Sequence, residues 1–303
     1  MLNEKTMNYD SLITQKNILI TGGAGFVGSQ LAKRLYVNGN TIYVLDNYFT
    51  GDKTNHVDGV FYKKGETRSI FKYYKNVPLD YIYHLGEYSR VEQSYEDIEL
   101  VMKYNQYPFY EVLRLTLHHR AKLIYSGSST KFSHNREAVE SPYSFSKRIN
   151  TELLVNYATW FNLNYAITYF YNVYGPNEIS TGKYATVIAK FLSLKRSGAN
   201  FLPITKPGTQ KRRFTHIDDI INGLIIVGKK GQGDDYGIGA HKSYTIVEIA
   251  KILGMKYHFQ PEKKGNRLDA TLKTLRTRNL GWKPTKNLLD YLINETKLYN
   301  NSQ

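Results

Sequence analysis

The residues of this chain best suited to moving a proton are Tyr143 and Lys147, in Ser141-Pro-Tyr-Ser-Phe-Ser-Lys147. Residues at i and i+4 share one face of a helix, so the phenol and the ammonium can address a common site. A free phenol, with a pKa near ~10, is a poor base at neutral pH, and a neighbouring cation favours its phenolate. Ser128 stands at the end of the apolar run Leu123-Ile-Tyr125, within Ser126-Gly-Ser-Ser-Thr130. Its hydroxyl can give a second hydrogen bond to a substrate hydroxyl or alkoxide. Each pattern alone also describes something plainer, two surface residues on a helix or a polar loop. The absence of cysteine excludes thiol nucleophiles, disulfides, thiolate zinc sites and iron–sulfur clusters, and no metal site is expected.

A second constellation points to phosphate. The apolar run Asn17-Ile-Leu-Ile-Thr21 leads into Gly22-Gly-Ala-Gly25-Phe26-Val27-Gly28 and then a helical pattern. Gly22 permits a tight turn, Gly25 lets backbone approach a pyrophosphate, and Gly28 lets helix and strand pack closely. The helix N-terminus presents free N–H groups to the phosphates. The next strand ends in Asp46-Asn47. An acid there accepts hydrogen bonds from both adenosine ribose hydroxyls and repels a 2′-phosphate, which favours NAD over NADP.

These residues need a scaffold that delivers strand ends to one crevice. Strands are predicted at 17–21, 41–46, 59–63, 80–84, 122–126 and 165–170, and helices at 26–38, 95–118 and 143–161. Strands alternating with helices of ten or more residues predict an α/β chain built on a doubly wound parallel sheet. After Asn172 turn signals multiply (Gly175-Pro176, Pro207-Gly208) and the elements shorten. That pattern predicts a cofactor domain over 1–172, with segments returning near 214–240, and a smaller mixed α/β substrate domain over 173–303. The composition is that of a globular chain, 41% apolar over 303 residues. No apolar run approaches ~18 residues, so no membrane span is expected. The N-terminal stretch has no signal-peptide pattern, and a cytoplasmic location is expected. The net charge of +15 invites a nucleic-acid reading, but the 41 basic residues are scattered, so no nucleic-acid partner is expected.

The markers in their order resemble the extended short-chain dehydrogenase/reductases of the nucleotide-sugar epimerase/dehydratase family. They are Gly22/Gly25/Gly28, Asp46-Asn47, Tyr83-His-Leu-Gly86, Asn105, Ser126–Thr130, Tyr143-x-x-x-Lys147, Phe170-Tyr-Asn-Val-Tyr-Gly-Pro176, Arg212-Arg-Phe-Thr-His-Ile-Asp-Asp219 and Leu280-Gly-Trp-Lys-Pro284. The likeness spans about Asn17 to Trp282 and implies a Rossmann-like sheet, bound NAD and a nucleotide diphosphate sugar as substrate. It implies that Tyr143 is the acid/base, that Lys147 holds the nicotinamide ribose and lowers the Tyr143 pKa, and that Ser128 bridges to the sugar. Phe26, Val27, Asn47, Leu85, Gly86, Asn105, Ser126 and Tyr171 would join the glycines and Asp46 around the cofactor. Ser129, Thr130, Asn172, Arg212 and Arg267 would attend the substrate, with Arg212 or its neighbour Arg213 gripping the diphosphate through a planar fork. Relatives often dimerise through the helices read here at 95–118 and 143–161, which implies a homodimer.

The chain also departs from the family. Sugar dehydratases resemble it around Glu87–Ser94, but they carry an Asp-Glu pair directly after the position of Ser128, where this chain has Ser129 and Thr130. A hydroxyl cannot replace a carboxyl group in moving protons at C5 and C6. No arrangement for binding a uronic acid is evident, which leaves 4-epimerisation of a UDP-hexose as the simplest chemistry. The alternatives are a dehydrogenase or reductase on the same fold, or epimerisation of a GDP-, dTDP- or CDP-sugar. Glu66 stands near the position of the family's adenine-contacting acid. Ala270 stands near the position where a bulky residue restricts N-acetyl sugars.

Overall fold

The computed structural model describes residues 13–132, 140–265 and 271–300. The chain opens with β1 (Asn17–Thr21), α1 (Phe26–Val37), β2 (Thr41–Asp46), β3 (Phe61–Lys64), α2 (Ile70–Tyr74) and β4 (Tyr81–His84). It continues through α3 (Ile98–Val101), α4 (Tyr107–His119), β5 (Lys122–Ser128), α5 (Pro142–Phe161) and β6 (Tyr165–Phe170). Then come β7 (Val173–Tyr174), α6 (Val187–Arg196), β8 (Phe201–Thr205), β9 (Lys211–Arg213), β10 (Thr215–His216), α7 (Ile217–Lys230) and β11 (Gly233–Ile238). The last elements are β12 (Ser243–Thr245), α8 (Ile246–Ile252), β13 (Lys256–Gln260), α9 (Leu275–Asn279) and α10 (Leu288–Asn300).

A seven-stranded sheet in the order β3-β2-β1-β4-β5-β6-β11 forms the centre, with every pair parallel. This is the doubly wound α/β arrangement expected from the sequence. Successive side chains of a strand point to opposite faces, and both faces here are apolar. Leu19, Leu45, Ile82, Leu123 and Ile167 pack with residues of α2, α4 and α5. Ile18, Ile20, Val44, Tyr83 and Ile124 pack with α1 and α7 on the other side. A third core, including Tyr174, Phe191, Leu202, Phe214, Ile249 and Leu292, belongs to the segments after β6. There β7 pairs β10, β9 pairs β12 and β8 pairs β13 in two-stranded sheets. The strand order reverses between β1 and β4, and open sheets of this kind bind ligands at the carboxyl ends beside that reversal.

Several boundaries differ from the sequence reading for identifiable reasons. The single helix expected over 95–118 is instead α3, a π-helical turn over Met102–Gln106, and α4. Pro108 lies at the start of α4, and a proline inside a continuous α-helix removes an N–H and crowds the carbonyl four residues back. A π-turn accommodates such a position. β3 starts at Phe61 rather than Gly59, because Gly59 is at φ +84 in a turn. β5 runs on to Ser128, two residues past the expected end, and carries that hydroxyl to the sheet edge. α5 begins at Pro142, and the Ser141 Oγ caps it by accepting the Ser144 N–H at 3.1 Å.

Candidate active site

A cavity of about 560 Å³ opens at the carboxyl ends of β1, β2, β4 and β5 and extends beneath the smaller portion. Its floor is the glycine turn. Gly22 has φ +72, and a Cβ there would come within 2.8 Å of the Gly86 Cα. A Cβ on Gly28 would lie 2.1 Å from the Gly22 carbonyl oxygen. Only glycines let the β1 turn, the β4 end and α1 approach this closely, and Gly25 is the N-cap of α1. The first N–H groups of α1 thus meet the cavity along a wall of Gly22, Gly25, Phe26, Val27 and Gly28.

At the end of β2, Asp46 and Asn47 line the same space. Asp46 Oδ2 accepts the Ala24 N–H at 2.9 Å and Oδ1 accepts the Tyr48 N–H at 2.8 Å. Burial pushes its carboxyl upward against those two bonds. Glu66 also lines the cavity and pairs with Lys103 at 2.9 Å, and Lys103 itself reaches the wall. Leu85 and Gly86 follow β4, with their N–H groups donated to Thr21 Oγ1 at 3.2 and 3.0 Å. A glycine cradle at a helix N-terminus with an acid at the next strand end fits a dinucleotide's pyrophosphate and ribose.

Ser126, Ser128, Ser129, Tyr143 and Lys147 converge on the cavity from β5, the turn after it and α5. The Lys147 side chain is only 5% exposed; it pairs with Glu87 and donates to the Ser126 carbonyl at 2.6 Å. Ser128 Oγ accepts from Thr130 Oγ1 at 3.0 Å, so Thr130 stands behind Ser128 and off the cavity wall. Asn172 and Arg212 line the far side, and Arg213 does not. Pairing of β9 with β12 explains the choice, because neighbouring residues of a strand face opposite ways. Arg267 and Ala270 lie outside the described residues.

The structure moves two expected cofactor residues elsewhere. Asn105 is fully buried in the π-turn, accepting the Tyr88 N–H at 2.7 Å and donating to Ser146 Oγ at 2.9 Å. It ties the loop after β4 to α5 and is not on the cavity wall. Tyr171 is also buried off the wall, donating to the Thr271 carbonyl at 2.7 Å and accepting the Lys273 N–H at 3.0 Å. Both point into the protein because their backbone polar neighbours, left by loops, need partners.

Other cavity residues were given no role from the sequence, although Glu87 and Arg90 fall within the stretch Glu87–Ser94 that resembles the dehydratases. Glu87 sits on the wall beneath Lys147. Glu178, after β7, accepts from Thr186 Oγ1 at 2.6 Å and the Gly175 N–H at 3.1 Å, and burial pushes its carboxyl up to about 7. Arg90 donates from Nε and Nη2 to the Tyr184 carbonyl at 3.1 and 2.7 Å, and from Nη1 to Ser89. Phe49, Tyr88 and Tyr104 form an aromatic wall, with Tyr184 packed on Phe49 at 5.3 Å. Family resemblance to Glu87–Ser94 was the available signal for the first group. Among the described residues no group of three or more His, Asp or Glu could share a metal ion, and no helix is long and apolar enough to cross a membrane.

Comparison with known proteins follows this geometry. Residues 18–239 match the sequence model of the NAD dependent epimerase/dehydratase family. UDP-glucuronic acid decarboxylase 6 of Arabidopsis thaliana is 28% identical, over 91% of this chain and 86% of its own. The dTDP-D-glucose 4,6-dehydratase of Dictyostelium discoideum is also 28% identical, over 80% of this chain and 62% of its own. The crystal structure of UDP-glucose 4-epimerase from Thermotoga maritima, with UDP-glucose, superposes with a TM-score of 0.84 at 24% identity, covering 94% of this chain and 99% of that one. At that identity the likeness speaks to the fold.

Proposed function

This chain belongs to the NAD-dependent epimerase/dehydratase family, and we propose that within it the protein is a nucleotide-sugar 4-epimerase, acting on a UDP-hexose through a transient 4-keto sugar. Its cofactor is NAD, which when bound supplies the hydride acceptor and donor. The glycine turn and the start of α1 would hold its pyrophosphate, and Asp46 would accept from its adenosine ribose. Tyr143 takes the 4-hydroxyl proton as the sugar is oxidised and returns it after the keto sugar presents its other face. Ser128 steadies the sugar oxygen, its rotamer fixed by Thr130, and Arg212 and Asn172 hold the diphosphate. The two redox steps cancel, so no net NADH would form. The residues 13–172 carry the cofactor half and the later segments the substrate half, apart from α7 and β11 on the sheet.

The observation that carries this reading is the turn after β5. Ser129 and Thr130 occupy it, and neither can shuttle protons at C5 and C6 as a carboxyl group does. The test is to offer UDP-glucose, UDP-galactose and their N-acetyl forms while following absorbance at the NADH band. Interconversion without net NADH supports the reading. A stoichiometric gain or loss of NADH per turnover indicates a dehydrogenase or reductase instead.

A second reading rests on the decarboxylase relatives. Decarboxylation of a UDP-uronic acid begins with the same Tyr143 step, but it needs a cation for the sugar carboxylate. The cavity holds two guanidinium groups, Arg212 and the half-buried Arg90, whose Nε, Nη1 and Nη2 already donate to Tyr184 and Ser89. Release of carbon dioxide from UDP-glucuronic acid would favour this second reading.

A further inference from the structure

The ammonium of Lys147 rests on a carboxylate that no proton step uses. Glu87 follows Gly86 and is 1% exposed, as deeply buried as any charged side chain in this site. Four side chains converge on it. Lys147 of α5 pairs with its Oε2, and Asn150, one turn further along, donates Nδ2 to Oε1 at 2.8 Å. The Tyr125 hydroxyl of β5 donates to Oε2 at 3.2 Å. His84 of β4 brings Nε2 to 3.3 Å from Oε1, close enough for attraction though outside hydrogen-bond alignment.

The hydrogen bonds behind His84 settle its tautomer. Thr21 Oγ1 accepts the Leu85 and Gly86 N–H groups and lies 2.7 Å from His84 Nδ1. A hydroxyl has two lone pairs, so with both engaged its own proton must be the one given to Nδ1. The ring proton of a neutral His84 is therefore on Nε2, facing Glu87. Every group around this carboxylate presents a proton to it, and burial, which alone would raise its pKa, is overcome by Lys147 and His84. The carboxylate is held ionised, and the full charge lies under Lys147.

Lys147 has three N–H donors. Glu87 and the Ser126 carbonyl take two, and the Tyr125 ring lies 5.0 Å from Nζ. One N–H is left for a ligand in the cavity that Lys147 lines. We propose that Glu87 is a positioning residue that keeps Lys147 an ammonium and aims its remaining N–H at the cavity. An amine at 5% exposure without a counter-charge loses its proton readily, because burial disfavours the charged form. The groups that bear on this titration are Glu87, His84 and Tyr125 from the sheet side and Tyr143 from the same helix. The catalytic consequence rests on reading Tyr143 and Lys147 as the working pair; the hold of Glu87 on Lys147 does not.

The test is a lysine-selective NMR titration of the full chain, before and after its nucleotide is stripped, with the Lys147 signal assigned through Lys147→Arg. The titration midpoint of Lys147 in the unsubstituted protein is the reference. In Glu87→Gln its midpoint falls by more than one unit, and in Glu87→Asp by less. The alkaline limb of kcat/KM moves down with it, a change that a merely structural residue would not produce. Should the Gln variant not accumulate, the Asp variant carries the test, and a shift of at least half a unit is expected. Equal midpoints in the unsubstituted and variant chains overturn the proposal, whatever reaction the enzyme proves to run.

Discussion

On the proposed reading the Tyr143 phenol and the Ser128 hydroxyl would meet the sugar from α5 and β5, apart from the glycine turn, so removing either leaves that turn intact. Tyr143→Phe is expected to lower kcat by about 10²–10⁴, the range for loss of a general acid–base, with NAD retained as judged by absorbance of the purified protein. Glu178 gives a stability prediction. Its folded pKa of about 7 lies above the ordinary carboxylate value, so between about pH 4.5 and 7 the folded chain keeps a proton that the unfolded chain has lost. Stability therefore falls as pH rises through that window, by at most about 3 kcal/mol for a shift of this size. Thermal unfolding of Glu178→Gln should lack this decline, and parallel pH profiles for the two proteins would contradict it. At this scale the sequence was most legible where spacing encodes geometry. Tyr143 and Lys147 share a helix face, and Gly22, Gly25 and Gly28 share a turn, so their residues announce their neighbours. Glu87 and Glu178 announce nothing, because what makes each distinctive is a partner 60 residues away in Lys147 or a buried pocket closed by Thr186.

The elements position these groups through their ends. Gly25 caps α1, which rests on Gly22 through Gly28, where an added methyl meets backbone rather than a movable side chain. Gly28→Ala is expected to cost about 1–3 kcal/mol of stability, the range for overpacking, and to weaken NAD binding more than tenfold, measured by calorimetry on the stripped chain. Ser141→Ala removes the cap of α5 and is expected to cost about 1 kcal/mol in denaturant unfolding, with a smaller effect on NAD affinity. The six expected strands all exist; the five inner ones are largely buried apolar runs, whereas β3 is an exposed edge strand held by its pairing with β2. The π-turn escaped the sequence reading, since periodicity continues through it and only Pro108 marks the place. It matters because it aims Asn105 at Tyr88 and Ser146 and Gln106 at Asn150, bracing the loop that carries Glu87. The late markers prove structural: Trp282 Nε1 donates to the Asp219 carbonyl at 2.8 Å, and the Asp219 carboxylate accepts the Thr285 and Lys286 N–H groups. They fasten the last segment of the chain to α7 and take no part in the cavity.

At the scale of the whole molecule, α4 and α5 leave a band of aromatic residues in solvent. Tyr107 and Tyr110 of α4 and Phe145, Trp160 and Phe161 of α5 are all exposed. Family resemblance points to a homodimer through these helices, so light scattering should give about twice the 35.0 kDa chain mass, and Trp160→Asp with Tyr110→Asp should give the monomer. The charge of +15 finds only a small part of its use in the cavity, at Lys103, Lys147, Arg90 and Arg212, and the rest is spread over the surface. What the sequence conveys of the reaction after the first oxidation rests on the turn at Ser129 and Thr130, because the glycine turn and the Tyr143–Lys147 pair would serve that oxidation whichever step follows. On the proposed reading the groups beside the keto sugar are Ser128 and Ser129, with Thr130 held behind Ser128. The most direct test of the epimerase reading is turnover of UDP-glucose carrying deuterium at C4. An enzyme that removes and returns the same hydride on tightly bound NAD yields UDP-galactose with the label still at C4. Release of labelled NADH, or product that has exchanged the C4 label, would contradict the account.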